Sequence, residues 1–253
     1  MFEAVNENKK SLAEQVSDQI LQLIIDENLA CGVKLPNEFD LAQNLNVGRG
    51  TVREAVKQLV SRNVLEIRRG KGTFVTSRPG IAEDPLGLAF FKDKHKLASD
   101  LIEIRMILEP RIAAFAAHNA KESEIERMRE LCEEIERLAS SNQDYTALDV
   151  ELHTCIAQST RNLVMPNLIP IINSGISLYN AFPLYSQRIR ALRVHYEIIE
   201  AIAERDAEKA SQAMLHHLNY NKLNLEELVS KYNSKAVSPG ARDGSELFKE
   251  QPV

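Results

Sequence analysis

The sequence contains no tryptophan, few aromatic residues and no long apolar run. Aromatic residues make up 6% of the 253 positions, a composition that favours helices over a β-sandwich core. No stretch approaches the roughly 18 apolar residues that a membrane-spanning helix needs. The N-terminal segment, MFEAVNENKK, lacks the apolar core of a secretion signal. We therefore expect a cytoplasmic protein with no membrane partner.

Cysteine is also scarce, since the chain contains only Cys31, Cys132 and Cys155 and no CxxC pair. This pattern indicates reduced thiols and not a disulfide framework. The hydrophobic fraction of 44% is that of a globular protein with a buried core. A chain of this length allows two ordinary domains.

The stretch from Leu35 to Val75 predicts a small helical motif that ends in a hairpin. We expect two short helices, a longer third helix and two strands, with Asn37 as the N-cap of the first short helix. The third helix carries an apolar stripe at helical spacing, formed by Val52, Ala55, Val56 and Leu59. Beyond it the period changes to that of strands around the glycine-rich turn RRGKG. This order of elements is typical of a winged helix-turn-helix.

Positive charge is concentrated in this stretch. Between residues 44 and 78 the net charge is +6, whereas that of the whole chain is −5. A local reversal of sign indicates a phosphate partner more than an ordinary solvated helix face. A basic helix of this kind fits the major groove of double-stranded DNA, where arginine contacts guanine. The cations that recur on the outer side of the third helix and in the hairpin turn are Arg49, Arg53, Lys57, Arg68, Arg69 and Lys71.

The segment from Lys9 to Ser77 resembles the DNA-binding domain of the GntR family of bacterial transcription regulators. The motifs LPNE, VGRGTVREAVKQL and RRGKGTFV carry this resemblance. It implies that Arg49 and Arg53 read bases or adjacent phosphates, and that the Lys71–Gly72 tip reaches the minor groove. The expected DNA contacts are Arg49, Thr51, Arg53, Lys57, Arg68, Arg69, Lys71 and Gly72.

Three positions depart from the family pattern. Phe39 stands where the family usually has a DNA-contacting arginine. Gly48 replaces a common serine, and Cys31 replaces a common proline.

The rest of the chain predicts a separate, entirely helical domain, so that the protein as a whole is mainly α. The SRPG sequence that begins at Ser77, followed by Asp84-Pro85, interrupts both periodicities and indicates a linker. Past it, residues 81–253 carry a net charge of −6. We divide the chain into a winged helix-turn-helix domain at 9–77, a linker at 78–95, an all-helical effector-binding and dimerisation domain at 96–232 and a disordered tail at 233–253.

The helical domain should contain six helices, of which the fourth is long and interrupted. Proline and glycine fall mainly between the helices, but Pro166, Pro170, Gly175 and Pro183 fall within the fourth, where we expect kinks. The expected ranges are 96–119, 122–140, 144–158, 163–184, 187–204 and 206–231.

Four polar residues on three of these helices point toward one interior. Asp149 and His153 are four positions apart at the edge of an apolar stripe, His195 occupies a core position, and His217 follows the apolar positions of the last helix. Each alone could be a hydrogen-bonded core residue. Together they would need separate buried partners, whereas one divalent cation satisfies all four and keeps one or two coordination positions open. The set predicts a metal of the zinc, nickel or manganese class.

The segment from Leu101 to Tyr232 resembles the FCD ligand-binding domain of the FadR subfamily of GntR regulators. The motifs EIRMILEPRIAAFAA, DVELH, HYEIIEAIAERDAEKA and AMLHHL carry this resemblance. It implies that the one aspartate and the three histidines named above hold a divalent metal. Arg105 matches an arginine that often faces the effector pocket in such domains, and the alternative is an ordinary salt bridge on the helix surface.

These features predict a metabolite-responsive transcription regulator, typically a repressor of a catabolic operon for a small organic or sugar acid. We expect a homodimer that binds a palindromic operator and is released when a carboxylate-bearing effector reaches the metal. Two alternatives stay open, a fatty-acyl-type effector sensor and a metal-dependent hydrolase or lyase fused to a DNA-binding module. The complete ligand set argues against the first. No obvious general base accompanies the set, so we expect no enzymatic activity.

Overall fold

The protein is described by a computed structural model at residues 10–77, 79–82, 84–173 and 185–236, with the backbone alone at 185–192, 228 and 231–236. The chain divides into two compact units, Met1–Pro85 and Leu86–Val253. The first is a winged helix-turn-helix and the second is helical, which confirms the predicted fold class. Along the described residues no helix is long and apolar enough to cross a membrane.

Capped helices open the first unit, which we call the DNA-binding unit. Helix α1 (Leu12–Asp26) begins with a reciprocal capping box, in which the Ser11 N–H donates to Oε2 of Glu14 at 2.6 Å and the Glu14 N–H donates to the Ser11 hydroxyl at 3.2 Å. Helix α2 (Glu38–Asn44) is N-capped by Asn37, as predicted, because its side-chain oxygen accepts two backbone N–H groups of the first turn.

One expected element of this unit is wrong. Between Leu35 and the hairpin, the structure contains only one short helix, α2, before α3 (Arg49–Ser61). The connection between them is too short for another helix, and Asn46 takes a left-handed φ of 50° within it. Asparagine tolerates this conformation, which reverses the chain. The motif is completed by α1, which precedes the stretch.

The hairpin has the predicted form. Strands β1 (Leu65–Arg68) and β2 (Gly72–Val75) are antiparallel, with Leu65 opposite Val75. Helix α1 packs against α3, and their inward faces share one apolar core with the base of the hairpin, so the outer face of α3 points away from that core. The buried core residues are Val16, Ile20, Ile24, Leu35, Leu41, Ala42, Val52, Ala55, Val56, Leu59, Val64, Leu65 and Val75.

The second unit, which we call the helical unit, begins with a 3₁₀ turn at Leu88–Phe90. Its helices are α4 (Lys94–Asn119), α5 (Glu122–Ser140), α6 (Thr146–Ser159), α7 (Met165–Asn173), α8 (Tyr185–Ala203) and α9 (Ala207–Ala236). Most bounds lie within a few residues of those expected. Helix α4 begins inside the expected linker, and α9 continues to Ala236, inside the expected tail.

The long fourth helix expected at 163–184 is described only as α7, and Pro170 lies inside it. Residues 174–184, with Gly175 and Pro183, lie outside the described residues, as do residues 237–253 of the expected tail. The expected kinks at those two positions therefore stay predictions.

Helix α4 is central to the helical unit because it packs against α6, α7, α8 and α9. Its first turn is capped by Asp93, whose carboxylate accepts the Lys96 N–H at 2.9 Å. Helix α5 packs against α6 and α8 on another side. Enclosure from several sides buries polar as well as apolar residues of α4, among them Arg105 and Glu109.

Candidate nucleic-acid interface and metal centre

The outer face of α3 presents the predicted cations to solvent. Arg49, Arg53 and Lys57 are exposed and Thr51 is half-buried, while the apolar stripe of the helix is buried beneath them. Gly48 is the N-cap and provides no side-chain hydrogen bond. The first-turn N–H groups of α3 therefore have no side-chain acceptor, and such groups readily bind phosphate oxygens.

Two of these cations are held by carboxylates. The Arg53 guanidinium donates to both oxygens of Glu38, with an Nη2–Oε2 distance of 2.8 Å, and the Lys57 ammonium lies 2.8 Å from Oε1 of Glu54. The hydrogen bond from Arg53 lowers the pKa of Glu38, which stays ionised. Exposed pairs of this kind contribute at most about 1 kcal/mol, so a DNA phosphate or base can replace the carboxylate.

The wing is the second basic surface of this unit. Arg69 and Lys71 are exposed at its tip, and the Arg68 guanidinium lies 4.5 Å from the ring centroid of Phe74 while pairing with Glu66 at 2.5 Å. The Phe74 ring and the carboxylate therefore fix Arg68 on one face of the wing.

Lys34 belongs to this surface, although the sequence did not indicate it. Its backbone forms an isolated antiparallel bridge with Phe74, and its side chain covers Gly72 so closely that a Cβ placed there would lie 2.6 Å from the Lys34 Cε. Gly72 has a φ of +123°, which only glycine adopts without strain. Lys34 lies outside the basic stretch in sequence, so charge patterning alone could not connect it to the wing.

In the helical unit, the structure brings together the three histidines predicted as ligands. His153 on α6, His195 on α8 and His217 on α9 are buried, each with 2% of its surface exposed. One ring nitrogen of each lies within 4.8 Å of a ring nitrogen of each of the other two. The shortest separation between ring centroids is 4.5 Å, between His195 and His217. Asp149 lies beside this group of three, with its Oδ1 3.2 Å from Nε2 of His195.

The rings of His195 and His217 are suited to metal ligation because they are neutral. Burial lowers the pKa of His195 to about 4 and holds that of His217 well below 6.5. Among the described residues, neither Nδ1 of His195 nor Nδ1 of His217 has a hydrogen-bond partner, and Nε2 of His195 lies beside the Asp149 carboxylate. Buried unpaired nitrogens are costly, and only neutral imidazoles ligate a metal. Three nitrogens and a carboxylate in one interior therefore fit a divalent transition metal.

Arg105 is buried and not on the helix surface. It is 1% exposed, and its Nε donates to Oε1 of Glu109 at 2.6 Å. The other oxygen of Glu109 lies 2.5 Å from Nδ1 of His153. Burial would raise the pKa of Glu109, but the positive charge of Arg105, followed by the interactions with His153, outweighs it and lowers that pKa to about 2. The carboxylate is therefore ionised between a guanidinium and a candidate metal ligand.

Glu109 and Asn221 are residues of this centre that the sequence analysis missed. Glu109 lies four residues after Arg105 on α4, a spacing that could have indicated the pair. Asn221 lies four residues after His217 on α9, and its amide is 3.1 Å from Nε2 of that ring. In this structure Nδ2 of Asn221 donates to Nε2; the reversed amide would instead accept an N–H from Nε2 and leave Nδ1 as a metal ligand.

Comparison with known proteins gives a family match for each of the two units. The model of the bacterial regulatory proteins of the gntR family matches residues 12–75, and the FCD domain model matches residues 100–220. A protein of Escherichia coli (strain K12) described as an L-lactate dehydrogenase operon regulatory protein is 32% identical over 83% of this chain and 85% of its own length. The HTH-type transcriptional repressor NanR of Cronobacter sakazakii is 27% identical over 83% of this chain and 84% of its length.

Among solved structures, Streptococcus agalactiae GntR is similar over 83% of this chain and 98% of its own, with 40% identity and a TM-score of 0.73. The two family models fall on the two compact units, one with the basic helix and wing and the other with the histidine cluster. The relatives are regulators of transcription and not enzymes. The alternative of a metal-dependent hydrolase or lyase is therefore excluded. This chain therefore belongs to the GntR family of bacterial transcription regulators, with an N-terminal DNA-binding domain and a C-terminal FCD domain.

Proposed function

We propose that this regulator is a metabolite-responsive repressor of a catabolic operon, of the FadR subfamily, which acts in the cytoplasm as a homodimer. The DNA-binding unit binds operator DNA, and the helical unit binds a divalent metal and a small carboxylate that releases the operator. The observation that carries this proposal is the buried cluster of His153, His195 and His217 beside Asp149, in which Nδ1 of His195 and Nδ1 of His217 have no hydrogen-bond partner among the described residues.

Operator contacts are assigned to the exposed cations of α3 and the wing. Arg49 and Arg53 would reach base edges in the major groove, and Thr51 and Lys57 the adjacent phosphates. Around the wing, Arg68, Arg69, Lys71 and the backbone at Gly72 would approach the minor groove, and Lys34 would add a further cation.

A homodimer is supported by an apolar stripe on the outer face of α4. Ile104, Ile107 and Phe115 are exposed, with Ile107 at 67%, on the side of α4 that also carries the exposed Arg111 and His118. Their spacing places them on one side of the helix. Exposed apolar surface of this kind is typical of an interface, and two-fold symmetry would present two recognition helices to the two halves of a palindrome.

The metal would be held by the three histidines and Asp149. A divalent ion of the zinc, nickel or manganese class, when bound there, supplies open coordination positions to which an effector carboxylate can bind. Glu109 would orient His153, and Asn221 would orient His217, because outer partners of this kind fix the ring of a metal-ligating histidine.

The charges of the site favour a small monocarboxylate as the effector. Arg105 contributes one positive charge and Glu109 and Asp149 one negative charge each, so a divalent ion leaves the buried site with a net +1. One carboxylate neutralises that charge, and a second would leave an uncompensated buried charge. The name of the E. coli relative refers to the L-lactate dehydrogenase operon, and lactate is such an acid. A fatty-acyl chain fits this charged interior poorly.

The test begins with an operator selected from random double-stranded DNA by repeated binding to the purified full-length protein. Operator affinity is then measured by fluorescence anisotropy for metal-loaded and chelator-stripped protein, with and without L-lactate, glycolate and acetate. We expect an acid to weaken binding of the metal-loaded protein only. A full response by stripped protein, with metal content checked on the same sample, would remove the metal from the mechanism. No response to any of the acids would overturn the monocarboxylate assignment.

A further inference from the structure

Asn173 is a buried amide that the structure leaves unsatisfied. It is 0% exposed at the end of α7, and among the described residues neither its Oδ1 nor its Nδ2 has a hydrogen-bond partner. Buried polar side chains almost always have partners, because an unmade hydrogen bond costs the full desolvation of the group. Such a side chain therefore needs an explanation, and a ligand that completes its hydrogen bonds provides one.

Asn173 lies on the face of α7 that is turned toward the core of the helical unit. Ile169, Ile172 and Asn173 are the buried residues of α7, at the spacing of one helix face. Ile169 and Ile172 belong to the same apolar core as Leu152, the neighbour of His153 on α6. The inward face of α7 is therefore the face that carries the amide.

The neighbours of α7 are the helices that carry most of the candidate centre. It packs against α6, which holds Asp149 and His153, and against α4, which holds Arg105 and Glu109. The charged members of the cluster interact with one another at short distances, whereas the Asn173 amide makes no such contact. It is thus an uncharged polar group beside the helices that carry the cluster.

We infer that Asn173 is an effector-binding residue that recognises a hydroxyl group of the effector. A carboxylate oxygen can only accept a hydrogen bond, so it would leave Oδ1 of the amide unpaired. A hydroxyl both donates and accepts, so hydroxyl groups can satisfy Oδ1 as well as Nδ2. The effector class that fits is a small hydroxylated monocarboxylate, whose carboxylate binds at the metal and whose hydroxyl binds at Asn173. This inference rests on the proposed function.

An unsatisfied amide lowers the stability of the ligand-free protein, and this has a measurable consequence. Leucine has the same branched arrangement of side-chain heavy atoms as asparagine and has no polar atoms, so Asn173→Leu removes the unmade hydrogen bonds without emptying the site. We expect an unfolding temperature equal to or above that of the wild type. A structural role for the amide would instead lower it.

The binding test uses full-length, metal-loaded protein and two matched pairs of acids, L-lactate with propionate and glycolate with acetate. Isothermal titration calorimetry measures each Kd for the wild type, for Asn173→Leu and for Asn167→Leu, a matched control because Asn167 is exposed on the same helix. In the wild type, each hydroxy acid should bind roughly tenfold more tightly than its deoxy partner. In Asn173→Leu this preference should vanish while the deoxy acids bind as before, and Asn167→Leu should match the wild type.

The outcomes separate this inference from the proposed function. If no acid binds the wild type, the proposed carboxylate effector is wrong and the role of Asn173 is wrong with it. If the acids bind but the hydroxyl preference is absent, or survives in Asn173→Leu, only the role of Asn173 is overturned. Asn173→Ala replaces the leucine variant if that variant does not fold, and misfolding of both would show that the amide is structural.

Discussion

Glu109 lies between Arg105 and the candidate metal site, and its Oε2 is 2.5 Å from Nδ1 of His153. Its other oxygen accepts from Nε of Arg105 at 2.6 Å. One carboxylate thus compensates a buried guanidinium and contacts a ring nitrogen of a candidate ligand. The charge of Arg105 is therefore already balanced before any ligand binds, and its expected role in binding the effector stays a prediction.

We expect Glu109→Gln to destabilise the protein and to weaken metal binding. Removing one partner of a buried ion pair costs about 3–5 kcal/mol, because the other charge is left uncompensated. Loss of an outer partner of a ligating histidine lowers metal affinity about 10–100-fold. Urea unfolding of the metal-free variant measures the first effect, and competition with a chromogenic chelator measures the second.

Glu103→Gln is the matched control, since Glu103 is exposed on the same helix. It should change neither the unfolding midpoint nor the metal affinity. Wild-type values for Glu109→Gln in both measurements would show that the carboxylate supports neither Arg105 nor His153.

The metal-free protein should lose stability as the pH falls from about 6.5 toward 4. Burial lowers the pKa of His195 to about 4 and that of His217 well below 6.5, so the unfolded chain takes up protons at these rings first. Their contribution to stability is complete above the unfolded pKa and is lost as the pH falls through the folded pKa. For His195 the shift corresponds to about 3 kcal/mol.

Urea unfolding at a series of pH values tests this for the wild type, His195→Gln and the control His118→Gln, whose ring is exposed. Between pH about 6.5 and about 4, the unfolding free energy of His195→Gln should fall less steeply than that of the other two proteins. Parallel curves for all three would contradict neutral burial of His195.

Arg53→Ala should lower operator affinity by about 1–3 kcal/mol if its guanidinium reads a base.

Glu38→Gln should act differently from Arg53→Ala, because it removes a negative charge from the DNA-facing surface and the group that holds Arg53. We expect this variant to bind nonspecific DNA more tightly and to discriminate less well against mismatched operators. Fluorescence anisotropy at several salt concentrations measures both effects.

Arg137→Ala serves as the control for these variants, since Arg137 is an exposed cation of α5 in the helical unit. Its operator affinity and salt dependence should equal those of the wild type. If Arg53→Ala behaves like this control, α3 does not dock through that side chain.

Local sequence signals were sufficient for most of the DNA-binding unit. The caps at Ser11 and Asn37, the apolar stripe of α3 and the glycine-rich turn each involve residues close in sequence, and all appear in the structure. The contact of Lys34 with Gly72 joins residues far apart in sequence. Charge patterning along the chain has no means of detecting such a contact.

In the helical unit, helical periodicity brought Asp149 and the three histidines to one interior, but it could not determine the environment of Arg105. An arginine followed four residues later by a glutamate looks the same on an exposed helix as on an enclosed one. Burial of this pair depends on four helices packing around α4, which is a tertiary property. Asn173 was missed for the same reason, because nothing local distinguishes an unsatisfied asparagine from an exposed one.

The last prediction compares two adjacent histidines on α9. His217 is buried in the cluster, whereas His216 is exposed beside it, so His217→Ala and His216→Ala are closely matched. We expect only His217→Ala to reduce bound metal and to abolish the response of operator affinity to a carboxylate effector. Operator binding without effector should persist in both variants, because neither residue lies in the DNA-binding unit.

The physical reason is that an effector shifts the DNA equilibrium only by its difference in affinity for the two states. Coupling of this kind typically amounts to about 1–3 kcal/mol, or roughly 5–150-fold in operator affinity, and that ratio is what the anisotropy titration measures. Circular dichroism confirms that each variant is folded, and metal content is assayed on the same samples. A folded, metal-depleted His217→Ala that still responds fully would leave the metal a structural role at most. Loss of response in His216→Ala as well would show that the effect belongs to α9 as a whole and not to the ligand cluster.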